Sequence, residues 1–542
     1  MHDSIDDSDS ATAALNTLQD NDQIPVARPP TEVIIHIFTH LAIIDTPRCP
    51  SLGWLRVTHV CQRWRRVALE DPSLWEGNIL CPFPFGDRWA NLFFSRSQAV
   101  PLTIMKPPGS FSMTIAAPRE IELFNNNITR IRVLHISTND NNISMLCQSA
   151  PLLDTLDLTL HYNPGMSHSR PPTFPDGLLG GAAGAPALRH LRLETPGPLP
   201  WTSPLFERLI SLEVVHRTSA ESALADIMAA LSRMPALENL VLSLFPRQAD
   251  AAPIHPMALP QLRSLVLTTS IASGHHFLVR IALPATASVQ CNLECETHPV
   301  TTDADLTALF RAAAECIDAS AAPISRIRAT SMGVDIWHSG DAFPFLGLDI
   351  PNYTRLRTGL VPSVLVALAS EHLEELEVDT IRAYPGEAEW AAHLQVARAL
   401  RHVKVGGCAV SMFCAALIRG PTSFLPALFE LLILNCAHLP VWDGYIDGMY
   451  CSPEDALVRC LLRRAGAGNV LGVLEVAKCY MKEGCRDTVV KAAPPGFLPA
   501  LTALELHDVH FSGDADWDEL MLGLARRRAD AGCSLKRLRG ST

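Results

Sequence analysis

The first 23 residues contain no lysine or arginine. Six aspartates in that stretch (Asp3, Asp6, Asp7, Asp9, Asp20 and Asp22) supply half of the formal net charge of −12. A polar, acidic segment with little to bury predicts disorder over residues 1–23. The same stretch lacks the basic start and apolar core of a secretory signal. No apolar run approaches the ~18 residues needed to span a bilayer; Ala409–Ile418 is among the longest. With neither signal nor span, the fifteen cysteines are expected to be reduced thiols, many of them buried as small hydrophobes. The expected location is cytoplasmic or nuclear, away from the membrane. Basic residues are also too few for general nucleic-acid binding by charge. The Arg526–Arg528 run and Lys536, Arg537 and Arg539 are local exceptions, of a kind that usually caps helices or is solvated.

Catalytic signatures are missing too. The glycine-rich stretches 177–184 and 466–472 are not followed by G-K-[ST] and lack dinucleotide spacing, so they are expected to be turns or excursion loops. There is no G-x-S-x-G and no kinase set. His36 and His40 have a spacing that could share a zinc ion, but no third ligand is evident nearby. Cys291 and Cys295 alternate with Val289 and Leu293 as one face of a strand does, and have no second cysteine pair. His275-His276 is expected in a loop. We therefore expect no enzyme, no cofactor and no metal.

What the chain does have is leucine at a repeating interval. An L-x-x-L-x-L phrase, with conservative replacements, begins at Ile131, Leu153, Leu188, Leu209, Leu237, Leu262, Leu373, Leu400, Leu428, Leu471 and Leu501. A weaker copy begins at Ile324, and Leu535 starts a truncated last one. Starts 20 to 30-odd residues apart are the mark of a leucine-rich solenoid. Several copies are introduced by proline, as in Ala150-Pro151-Leu152-Leu153 and Leu259-Pro260-Gln261-Leu262. The L-x-L part alternates with period two and predicts a short strand with one face inward. Helical stripes lie between strands: Leu224, Ile227, Met228, Leu231; Leu306, Leu309, Phe310, Ala313; and Trp517, Leu520, Met521, Leu524. Strand then helix, repeated, predicts parallel strands on one side and helices on the other. The segment 161–186, with Pro164, Pro171, Pro172 and Pro175, is expected to be a long excursion loop. Residues 282–348 show no clean repeat except around Ile324 and are expected to be diverged repeats with a helix. Trp89–Met105 is expected to open the solenoid with a helix and a strand.

Two stretches precede the repeats: Pro29–Leu41 (PPTEVIIHIFTHL) and Val57–Trp75 (VTHVCQRWRRVALEDPSLW). Val33, Ile34, Ile37, Phe38 and Leu41 form one helical stripe, and Val57, Val60, Cys61, Trp64 and Val67 a second. Pro30 suits a first helical turn. Two such short helices are too small to stand alone securely. The ordered series Pro30, Glu32, Ile37-Phe38, Leu41, Val60-Cys61, Arg63-Trp64, Leu74-Trp75 resembles the F-box. It departs from that pattern at Pro29, where leucine is usual, and in a longer connector, Ala42–Gly53, with Pro47 and Pro50. Three repeats that extend to a cysteine, at Cys408, Cys436 and Cys479, resemble the leucine-rich repeats often fused to F-boxes, in which that cysteine is a small buried support for the turn.

The fold class expected is α/β: an acidic disordered segment (1–23), an F-box-like helical domain (24–78) and an irregular leucine-rich-repeat solenoid (89–542). The resemblance implies a substrate-recognition subunit of an SCF-type ubiquitin ligase. Its partners would be a Skp-type adaptor, a cullin reached through the adaptor, and a target protein held by the repeats. The alternative is a repeat scaffold with no role in ubiquitination. By the same resemblance, Pro30, Ile37, Phe38, Leu41, Val60, Cys61 and Trp64 make or support the adaptor interface. The target side follows from geometry: the middle residue of L-x-L points away from the core. That position is occupied by Asp157, Arg192, Glu213, Val241, Val266, Glu377, Lys404, Leu432, Glu475 and Glu505. Its acidic majority predicts a target segment of basic character.

Overall fold

The computed structural model describes most of residues 29–434 and, beyond them, only strand segments between 445 and 541. Residues 1–28, Cys408, Cys436, Cys479, the stretch 466–472 and the stripe at 517–524 lie outside the described residues. The chain divides into two compact units, Met1–Ala249 and Asp250–Thr542.

The first unit opens with helix α1 (Thr31–Ile44). A 3-10 helix (Gly53–His59), helix α2 (Gln62–Glu70) and a 3-10 turn (Pro72–Trp75) follow. The second apolar stripe is therefore not one helix, as its periodicity suggests. The backbone is extended at Cys61 (φ −156°, ψ 168°), and the Cys61 Sγ accepts from the Trp64 N–H at 3.4 Å, capping α2. The connector is pinned at Gly53, whose φ of +56° and close approach to the Asp45 carbonyl leave no room for a Cβ. The Trp54 N–H donates to that carbonyl at 2.7 Å. Trp75 is the hub of the small core. It meets Trp54 and Phe93 edge to face at 5.3 and 5.0 Å, and its Nε1–H donates to the Ala68 carbonyl at 2.8 Å.

Phe93 belongs to helix α3 (Asp87–Arg96), so the helical module packs directly on the start of the repeats. The Arg96 guanidinium adds a hydrogen bond to the Leu69 carbonyl at 3.0 Å. Strand β1 (Ile79–Leu80) pairs in parallel with β2 (Leu102–Met105) on the far side of α3. The repeat sheet thus begins at Ile79, ten residues before Trp89, where the sequence pattern opens the solenoid. It continues in parallel register through β3 (Ile131–Thr138), β4 (Thr155–Leu160), β5 (His190–Thr195), β6 (Ser211–His216) and β7 (Asn239–Ser243).

The recurring proline has a definite task. In Ala150–Leu153, Ala185–Leu188, Met234–Leu237, Leu259–Leu262 and Leu425–Leu428 the fourth residue's N–H donates to the first residue's carbonyl. Proline occupies the second position of each turn, where its fixed φ suits a type I or II geometry. The turn delivers the first leucine of the phrase into the core, where Leu153, Leu188, Leu237, Leu262 and Leu428 are all buried.

The second unit repeats the scheme with one reversal. Strands β8 (Ser264–Thr269) and β9 (Ser288–Leu293) are parallel. Next comes a meander of β10 (Ile324–Thr330), β11 (Gly333–His338) and β12 (Leu346–Asp349). Its spatial order is β9–β12–β11–β10, with β11 antiparallel to both neighbours. Beyond β10 the ladder is parallel again: β13 (Glu375–Thr380), β14 (His402–Gly407), β15 (Glu430–Leu434), β16 (Val473–Ala477), β17 (Ala503–His507) and β18 (Leu538–Ser541). The weak copy at Ile324 is therefore a true strand, but it enters the sheet through a hairpin. Gly333 permits this, because a Cβ there would lie 2.0 Å from the Leu348 carbonyl oxygen.

Helices back the sheets where the stripes predict them. Leu224–Leu231 buries Leu224, Ile227 and Leu231, and Asp303–Glu315 buries Leu306, Leu309, Phe310 and Ala313. His275 and His276 lie in a helix, Ile271–Leu278, and not in a loop. The Ser270 Oγ caps it by accepting from Ser273, and Ile271, Phe277 and Leu278 bury its inner face. The later part of the 161–186 excursion is built into the core: Phe174, Leu178 and Leu179 are buried, and the Leu179 N–H donates to the Leu146 carbonyl at 2.7 Å.

Candidate interaction surfaces

The apolar stripe of α1 is wider than its contact with the module's own core. At 100° per residue, Ile34 and Phe38 share one edge of the stripe, while Val33, Ile37 and Ile44 share the other. The structure follows that division. Ile34 and Phe38 are 1% and 0% exposed, while Val33, Ile37 and Ile44 are 45%, 42% and 80% exposed. Val60, at the break before α2, is 54% exposed. These are among the exposed large apolar side chains of the module, the kind of surface from which interaction sites are built.

The seven residues singled out for adaptor binding thus fall into separate roles. Pro30, Ile37 and Val60 are exposed; Leu41, Cys61 and Trp64 are half-buried; Phe38 is wholly buried. Phe38 meets the Trp64 ring edge to face at 5.1 Å. The Arg63 guanidinium ties α2 back to the Pro29 carbonyl at 2.7 Å. His36 and His40 are both exposed, with ring centroids 5.3 Å apart. Among the described residues no cluster of three or more His, Cys, Asp or Glu side chains could hold a metal ion.

The second surface is the solvent side of the sheets. In the first unit Asp157, Arg192, Glu213 and Val241 stand directly opposite one another on β4 to β7, with His135 of β3 beyond Asp157. In the second unit Glu377, Lys404, Leu432, Glu475 and Glu505 form an unbroken rung on β13 to β17. Val266 stands opposite Gln290. Val241 and Val266 belong to different units. Every described side chain of this set is half-buried, and the described neighbours on either side of it are core residues.

Much of this acidic charge is paired within the face, in one case three carboxylates to one arginine. Arg192 binds Asp157, Glu194 and Glu213 at 3.1, 3.2 and 2.8 Å. Burial works against its charge, but Glu213 and Asp157 prevail and hold its pKa above the ordinary value. Glu377, 13% exposed, is shared by Lys404 at 2.7 Å and Arg328 at 3.5 Å. Arg326 pairs with Glu375 at 3.3 Å and lies over the Trp337 ring, and His402 meets Glu430 at 2.7 Å. The middle positions alone hide these partners. Glu194, Arg326, His402 and Glu430 lie two residues to one side of the middle position, on the same face by strand periodicity. Arg328 holds the middle position of the weak copy.

Cys291 is buried in β9, as its alternation with Val289 and Leu293 predicts. Burial pushes its thiol pKa up to about 12, and that of Cys316 likewise to about 12. No described helix is long and apolar enough to cross a membrane.

Residues 30–77 match the F-box-like family model. No curated protein matches the chain. Among solved structures the chain is similar to one in the crystal structure of a TLR13–ssRNA13 complex. The identity is 11% over 78% of this chain and 54% of that one, with a TM-score of 0.26. The chain spans about half the length of that neighbour, and so distant a likeness adds nothing to the strand ladder described above. The chain carries an F-box-like domain at residues 30–77, followed by a leucine-rich-repeat-like solenoid of parallel strands and backing helices.

Proposed function

We propose, from the F-box-like domain and the repeats behind it, that the chain is a substrate-recognition subunit of an SCF-type ubiquitin ligase. The observation that carries this reading is the exposed edge of the α1 stripe, Val33, Ile37 and Ile44, together with the exposed Val60 at the break before α2. This surface would seat a Skp-type adaptor and, through it, a cullin. Pro30, Leu41, Cys61 and Trp64 would frame it, with Phe38 supporting it from within. The solvent side of the sheets would hold the target protein through Asp157, Arg192, Glu213, Val241, Val266, Glu377 and Lys404. Both modules are of types that bind and do not catalyse. The subunit's contribution to ubiquitin transfer would be proximity, raising the target's effective concentration beside the ubiquitin-carrying enzyme.

Packing of the F-box-like domain on α3 supports the reading further, since a receptor must hold its target at a fixed place relative to the ligase. The test is purification of the full chain from cells under native conditions. Recovery of adaptor and cullin together in stoichiometric amounts is expected. Recovery of adaptor without cullin would favour a scaffold with no role in ubiquitination.

A further inference from the structure

Among the described residues, the backing layer is thin behind β4 and β5. Prolines 164, 171, 172 and 175 interrupt the connection after β4, and Pro196, Pro198, Pro200 and Pro204 that after β5. Proline inside a helix removes a hydrogen bond and clashes with the preceding turn. Where other repeats place a helix, these two place 3-10 segments, Leu178–Ala183 and Pro204–Phe206. Among the described residues, no helical stripe meets the inward leucines of the two strands. Between Leu156, Leu191 and Leu193 on the sheet side and Phe174, Leu178 and Phe206 on the backing side lies a cavity of about 210 Å³. Each of these six side chains is 7% exposed or less. Thr202 and Ser203 are at its rim. Trp201, beside them in the chain, stacks on Phe206 at 5.3 Å and is 4% exposed. Its indole N–H has no acceptor among the described residues.

We propose that this cavity is a binding site for a small, neutral, mainly apolar molecule carrying one hydrogen-bond acceptor. An apolar cavity of ~150 Å³ holds benzene, so about 210 Å³ suits a compound of one or two rings. Unfilled apolar volume destabilises a core in proportion to its size, and an occupant restores the missing contacts. The acceptor follows from the donors at hand, the rim hydroxyls of Thr202 and Ser203. A free molecule is the better fit than a partner's side chain, because the apolar walls, Leu156, Leu191, Leu193, Phe174, Leu178 and Phe206, are all buried and only the rim is open. The site is on the core side of the sheet and is independent of adaptor docking.

The experiment uses the full chain with toluene and 2-naphthol as probes. Thermal unfolding is followed with and without each compound. At ten times its dissociation constant, 2-naphthol should raise Tm by about 3 °C. Leu191→Phe, which fills the cavity from the sheet side, should abolish that rise. If this variant does not fold, Leu178→Phe fills it from the other wall. No shift with either probe, or an unchanged shift in a folded, filled variant, overturns the proposal. Loss of target capture in a filled variant whose parent shows no probe shift would also overturn it, assigning the cavity to a side chain of the target.

Discussion

Ile37 and Phe38 are neighbours in the chain with opposite surroundings. Phe38 is fully buried and meets Trp64 edge to face at 5.1 Å, whereas Ile37 is 42% exposed. The two are equally apolar, so hydropathy alone does not separate them. Their positions 100° apart on α1 do: one side faces the module's core, the other faces outward.

That difference predicts distinct phenotypes. Phe38→Ala should cost about 3–5 kcal/mol of stability, as truncation of a buried aromatic does. The loss should reach beyond the F-box-like domain, because its core shares Trp75 with Phe93 of α3. Ile37→Ala should change stability by no more than about 0.5 kcal/mol. Denaturant unfolding of the two full-length variants measures both. Equal destabilisation would place Ile37 in the core.

Gly53→Ala should destabilise the first unit by more than about 1 kcal/mol. The φ of +56° disfavours any side chain, and the new Cβ would sit 2.3 Å from the Asp45 carbonyl oxygen. An unchanged unfolding midpoint would show that the connector can relax at no cost.

The buried thiols predict a pH dependence. Cys291 and Cys316 titrate at about 12 in the folded protein, against an ordinary value of 9.0. The folded state keeps protons that the unfolded chain releases. The stability from this source is therefore complete below about 9 and is lost as pH rises toward about 12. At pH 8 both thiols should resist alkylation in the native protein and react promptly in denaturant, as mass spectrometry of labelled peptides can record. Rapid native labelling of Cys291 would contradict its place in the core.

On the target side, Val241→Asp or Val266→Asp should weaken target capture, while deletion within residues 162–173 should not. Capture that survives both aspartates and fails with the deletion would assign recognition to the excursion instead of the sheet.

Much of this architecture was legible in the leucine phrase, because a period of two fixes which side chains enter the core. The helix at Leu306–Ala313 and the buried Cys291 both followed from spacing. Three features did not. The break at Cys61 depends on a single extended residue inside an otherwise helical pattern. The reversed strand β11 depends on a hairpin that an in-repeat phrase cannot announce. The pairing of charges on the sheet face depends on contacts such as Lys404–Glu377, which join residues 27 positions apart. For the F-box-like domain, the ordered motif located the module, but only the rotation of α1 separated its exposed apolar residues from its buried ones.

The most direct test is the affinity of the full-length chain for a purified Skp-type adaptor, wild type against Ile37→Asp, by titration calorimetry. A charge placed in an apolar interface should reduce affinity at least about 100-fold, about 2.7 kcal/mol, with the thermal midpoint of the free chain unchanged. Wild-type affinity in a folded Ile37→Asp protein would contradict adaptor docking through this surface.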